Sequence, residues 1–112
     1  MPEAATPARI VLTTTANPEE AARLGRTLVS ERLAACATLL PAVHSIYRWQ
    51  GQVQSATETL LLLKTGAAQL TALEARLLQL HSYQTPEFLA LEVNAGSASY
   101  LQWLLDAVGE AD

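Results

Sequence analysis

The 112-residue chain is poor in cysteine, in aromatic residues and in charge. Cys36 stands alone, so no disulfide framework, zinc ribbon or Cys-x-x-Cys redox centre can form within one copy. Phe, Trp and Tyr together make up 5% of the residues. The strands read below offer Leu and Val, where an RNA-recognition sheet needs stacking aromatics. Seven Lys and Arg against eleven Asp and Glu leave a formal net charge of −4. A duplex-binding domain needs a basic stripe to replace phosphate counterions, so no nucleic-acid partner is expected. The run Leu60 to Leu63 is far shorter than the ~20 apolar residues of a spanning helix. The first ten residues hold no apolar signal-peptide core. No membrane partner and a cytoplasmic location are therefore expected.

Leu and Ala, 20 of each, dominate a chain that is 50% hydrophobic. That is enough for one core and one domain. Residues 1–8, with Pro2 and Pro7, read as a disordered leader; 9–108 read as the domain and 109–112 as a tail. Arg9 to Thr15 is β-branched and predicts a strand. Asn17-Pro18-Glu19-Glu20 predicts a helix start: Asn17 can cap, Pro18 suits the first turn, and Glu20 falls where a capping box places its acid. That helix is expected to reach Arg32 or Leu33. Gly25 inside it suggests close approach to the sheet.

Cys36 to Val43, interrupted by Pro41, and Ser45 to Trp49 read as one extended arm, turning at Gly51 into a second that ends with Glu58 to Thr65. Four consecutive leucines there predict burial on both faces. Such arms are long for so small a domain. An isolated hairpin tip would expose Ile46, Tyr47 and Trp49, so residues 43–57 predict that another subunit covers it. Leu70, Leu73, Leu77 and Leu80 recur at helical spacing, and Pro86 closes the loop after them. Phe88 to Asn94 alternates as a strand, and Ser97 caps a last helix carrying Tyr100, Leu101, Leu104, Leu105 and Val108. The order is strand, helix, strand, strand, helix, strand, helix. It predicts an α+β, ferredoxin-like βαββαβ fold with an added C-terminal helix and long hairpin arms.

That layout hosts many functions, so the residues must decide. The loop Thr13 to Asn17 has hydroxyls but neither the thiols of a copper chaperone nor the glycines of a phosphate cradle. The candidate metal ligands are His44, His81, Cys36 and scattered carboxylates, too few for one subunit to close a tetrahedral site. Cys36 reads as a small buried hydrophobe. Trp49 and Trp103 read as packing anchors. Lys64 emerges at a strand end, with Glu58 as its same-side partner. His81 and Tyr83 share a side of an extended loop. No nucleophile has an adjacent base, so no enzyme is expected.

Five segments in order, namely Leu33 to Pro41, Ser45 to Gly51, Lys64-Thr65, His81 to Glu87 and Tyr100 to Trp103, resemble the CutA divalent-cation tolerance proteins. The resemblance runs from Arg9 to Val108. It implies a ferredoxin-like subunit in a tight homotrimer similar to the PII-like proteins, and a role in tolerance of copper and other divalent ions. Some bacterial members carry a cysteine where Thr13 stands and a second histidine where Leu80 stands, so of that copper ligand set this chain keeps His81. Cu(II) or another divalent cation is the cofactor so implied. Cys36, Trp49, Lys64 and Tyr83 match positions shared in the family and are expected to line an intersubunit cleft for a small ligand or ion. A non-enzymatic ion- or ligand-binding regulatory trimer is the leading expectation. An interaction scaffold presenting its surface to another protein, with metal incidental, is the alternative, and an enzyme with an unrecognised intersubunit site is a third.

Overall fold

The computed structural model describes residues 5–109. Its strands are β1 (Ala8–Thr15), β2 (Cys36–Trp49), β3 (Gln52–Gly66) and β4 (Leu89–Glu92); its helices are α1 (Pro18–Ser30), α2 (Leu70–Leu80) and α3 (Ala98–Asp106). The strands form one antiparallel sheet in the order β2-β3-β1-β4. This is the split βαβ arrangement expected from the element order.

Local chemistry sets the helix ends. The Asn17 side chain accepts the Glu20 N–H at 2.8 Å, and the Ser97 hydroxyl accepts the Tyr100 N–H at 3.3 Å. Helix α1 stops at Ser30, short of the expected Arg32 or Leu33. Arg32 turns left-handed, with φ of 61°, and the Leu33 and Ala34 N–H groups both donate to the Leu28 carbonyl. The Arg32 side chain then donates to the carbonyls of Gly109 and Asp106, joining the end of α1 to the end of α3.

Helices α1 and α2 cover one face of the sheet. Leu24, Leu28, Leu73 and Leu77 meet Val11, Leu61 and Leu63 there, all buried. Helix α3 closes a second cluster with Ala8, Ala35, Leu104 and Val108. Helix α3 covers the Ala8 and Gly66 end of the opposite face, and the rest of that face is uncovered in one protomer. By register it carries Ile10, Leu12, Leu40, Leu60, Leu62, Leu89 and Leu91. The four-leucine run is therefore buried on one face only: Leu61 and Leu63 are inaccessible, whereas Leu60 and Leu62 are half-buried on the open face.

Strand β1 ends opposite Thr59, so β3 before that residue and β2 from Val43 onward leave the sheet as a two-stranded ribbon. Gln50 and Gly51 make its turn, both with positive φ (50° and 79°), the geometry that matches strand twist. Between Leu40 and Val43 a bulge at Pro41 and Ala42 shifts the register, with Ala42 at φ of 59°. Beyond the bulge, the odd-numbered residues Ser45, Tyr47 and Trp49 take the face that Cys36, Thr38 and Leu40 held before it.

Two further boundaries differ from expectation. Strand β4 is only Leu89–Glu92, because it pairs only with Arg9 to Leu12, and the Val93 carbonyl is taken by Thr6. Thr6, Pro7 and Ala8 are not loose. The Pro7 carbonyl accepts the Ala67 N–H at 2.7 Å, and Ala8 is fully buried as the first residue of β1. Positions 1–4 of the expected leader and 110–112 of the expected tail lie outside the described residues.

Candidate functional site

The loop that follows α2 is pinned from three sides. His81 ends the helix in extended conformation and is buried. Its Nε2 lies 2.8 Å from the Thr14 carbonyl, and its Nδ1 accepts the Tyr83 N–H at 3.0 Å. A backbone N–H can only donate, so Nδ1 is the acceptor of the Tyr83 bond, while Nε2 faces the Thr14 carbonyl. Ser82 is held next. Its N–H donates to Glu20 Oε2 and its hydroxyl to Glu20 Oε1, both at 2.9 Å. Glu20 thus acts across the fold; the expected capping-box acid holds a loop 62 positions away in the chain. Burial pushes the Glu20 carboxyl up. The two Ser82 bonds, the nearby His81 and the Ala16 N–H outweigh burial and bring it below its ordinary value.

This clip presents Tyr83. Its ring lies against His81, with centroids 4.8 Å apart, and its hydroxyl donates to Glu58 Oε2 at 2.6 Å. Burial, then the bond to Glu58 and the charge of that carboxylate, push the Tyr83 phenol well up, so it remains a donor. Beside the pair opens a groove of about 700 Å³ that runs along the ribbon, with Thr14, Tyr47, Trp49 and Glu87 among its other walls.

The four residues expected to share a cleft fall into two groups within one protomer. Trp49 and Tyr83 line this groove. Cys36 and Lys64 sit opposite each other at the far end of β2 and β3. The Glu58–Lys64 pair expected from shared strand side does not form. Six residues of strand separate them by roughly 20 Å; Lys64 Nζ donates to the Tyr100 hydroxyl at 3.3 Å and Glu58 is taken by Tyr83. Cys36 is half-exposed on the open face rather than a buried hydrophobe, its Sγ 3.7 Å from Thr38 Oγ1. Trp49 and Trp103, read as packing anchors, are 45% and 50% exposed in the protomer.

The copper ligand set does not fit one protomer. Both ring nitrogens of His81 are engaged by backbone groups, so ligation would break a buried hydrogen bond. Thr13 is buried among helix-facing residues, and its hydroxyl is no substitute for a thiolate. Among the described residues no three His, Cys, Asp or Glu side chains gather as a metal site. His81 instead positions Tyr83.

Glu20, Tyr47 and Glu58 were not singled out as site residues by the sequence. Tyr47 and Trp49 two apart on a strand were the available signal, because that spacing puts both rings on one side. Local signals put Glu20 in a capping box and Glu58 beside Lys64, and nothing local shows that they meet Ser82 and Tyr83.

Residues 9–107 match the family described as CutA1 divalent ion tolerance protein. The divalent-cation tolerance protein CutA of Thermus thermophilus is 43% identical over 100 residues, covering 89% of this chain and 97% of that one. The chloroplastic protein CutA 1 of rice is 38% identical over 105 residues; the match covers 94% of this chain but only 59% of the rice protein. Among solved structures, CutA from Xylella fastidiosa superposes with a TM-score of 0.90 at 38% identity, covering 93% of this chain and all of that one.

Proposed function

Because the chain belongs to the CutA1 divalent ion tolerance family, we propose that it serves divalent-cation tolerance as a non-enzymatic, ligand-binding regulatory module. The observation that carries this reading is the preset groove: Tyr83 is fixed against Glu58 by the Glu20–Ser82 and His81–Thr14 clips, beside the exposed ring of Trp49. Such pre-organisation lowers the cost of ordering on binding. The working unit is a homotrimer in the cytoplasm. The uncovered leucine face and the bare ribbon support assembly, and a cleft holding Cys36, Trp49, Lys64 and Tyr83 together needs two copies, one for each end of the sheet. The divalent cation, copper included, acts at the assembled trimer rather than on a ligand set within one protomer.

Thermal melts of wild type and Tyr83→Phe against a panel of divalent cations and small molecules test this. A ligand at 100 times its Kd stabilises by about 2.7 kcal/mol. A shift present in wild type and lost in Tyr83→Phe is the expected result. No shift across the panel, with the trimer intact by sedimentation, would favour a scaffold instead. That second reading draws on the same apolar face, which another protein could cover.

A further inference from the structure

The open face of the sheet carries charge at only two points. Of the strand residues that register places on it, from Ile10 on β1 to Leu91 on β4, only Glu58 and Lys64 are charged. Lys64 is the chain's single lysine and stands between Ile10 and Cys36 on the neighbouring strands. Among the described residues no carboxylate pairs with it. Its Nζ meets Tyr100, 3.3 Å from the hydroxyl and 5.6 Å from the ring centroid, and a neutral phenol brings no counter-charge. Glu58 is 8% exposed, and among the described residues the one hydrogen bond to its carboxylate comes from the Tyr83 hydroxyl, which is neutral too.

Covering the leucines of this face with another copy takes water from both charges. An ammonium or carboxylate that loses water needs an opposite charge at hand. Within one copy the two cannot serve each other, because six residues of strand hold them about 20 Å apart. Two copies remove that obstacle. A cyclic assembly repeats one contact between different patches of neighbouring copies, so the Lys64 end of one face can meet the Glu58 end of the next at every junction. We infer that Lys64 of one copy pairs with Glu58 of its neighbour. The groove beside Tyr83, which has no lysine or arginine among its own walls, is then completed by a cation from a second copy. Glu58 accepts Tyr83 on Oε2 and offers Oε1 to the ammonium, while Lys64 keeps its bond to Tyr100, since an ammonium has three donors. The inference rests on the reading above that the working unit is a trimer, and it names a charged contact that closes the groove.

Sedimentation of the full-length protein across a dilution series tests the pair. Lys64→Glu and Glu58→Lys should each weaken association by about tenfold or more, because each sets like charges together at every junction. Both substitutions in one chain should restore most of it. An equimolar mixture of the two single variants should assemble at a concentration where neither does alone, a result that requires contact between copies. If thermal melts show that a reversed charge prevents folding, a neutral cycle decides: Lys64→Gln with Glu58→Gln should lose less than the two single losses summed. A double variant no better associated than the weaker single one, or strict additivity in the neutral cycle, overturns the pair and leaves the trimer. Rescue of Lys64→Glu by Glu87→Lys, at the groove's other acid, in place of Glu58→Lys overturns the assignment to Glu58. A wild type that stays monomeric at micromolar concentration removes the trimer and the pair together.

Discussion

Thr13 is fully buried, and its hydroxyl finds no hydrogen-bond partner among the described residues; Thr59 is alike. A buried hydroxyl without a partner costs about 1–3 kcal/mol. Thr13→Val keeps the shape and removes that cost, so it should raise the urea midpoint, with stability gained in roughly that range. Glu20 is the opposite case, a buried acid fully used. Its carboxyl sits below its ordinary value of 4.5 in the folded chain, so folding favours the ionised form. Its contribution is complete above the unfolded value and is lost as the pH falls through the depressed folded one. Glu20→Gln should lower stability at neutral pH by about 1–3 kcal/mol, through the weakened Ser82 bonds. Denaturant titrations from pH 7 down to pH 3 should show a flatter acid limb for the variant. An unchanged limb would mean that Glu20 does not carry this linkage.

At the scale of elements, α1 lies so near the sheet that only glycine fits at one point. A Cβ on Gly25 would stand 2.9 Å from the Ala37 Cβ, an atom fixed to the edge strand and unable to swing aside. Alanine there gains about 1 kcal/mol of helix propensity. Overpacking of this kind costs about 1–3 kcal/mol, so Gly25→Ala should destabilise on balance. Adding Ala37→Gly removes the opposing methyl. The double variant should recover stability relative to Gly25→Ala, and a cycle of thermal melts measures the coupling. Strict additivity would show that the helix is free to shift. The bulge at Pro41 and Ala42 works between elements too. By shifting register it turns Tyr47 and Trp49 to the face where Glu58 lies.

At the scale of the whole molecule, the sheet has one face under two helices and one face of leucines left open. Leu89 is 56% exposed and Leu91 47%, while on the ribbon Ile46 and Val53 reach 76% and 67%. Exposed apolar side chains in such number mark an interface. Leu62→Glu places a charge on the open face and leaves the helix-side core intact. Its expected effect is a fall in sedimentation mass at micromolar concentration, with the secondary-structure signal retained. Leu61→Ala, one residue away on the other face, should instead cost about 2–5 kcal/mol of subunit stability, read from the melting temperature. If Leu62→Glu left the mass unchanged, the open face would not be the self-association surface.

The order of elements, the caps at Asn17 and Ser97, the leucine face of α2 and the turn at Gly51 were legible in the residues alone. Each depends on periodicity or on a side chain bonding to nearby backbone, and both are local. The family resemblance was legible for the same reason, since its segments are short runs read in order. What the tertiary structure alone decided was the assignment of partners. Glu20 meets Ser82, Tyr83 meets Glu58, and Lys64 turns to Tyr100, each across tens of residues. Strand register, the bulge and helix packing set those distances, and none is encoded in spacing along the chain. Side-chain parity placed Glu58 and Lys64 on one side of a strand, but only three-dimensional distance showed that they stand too far apart to pair.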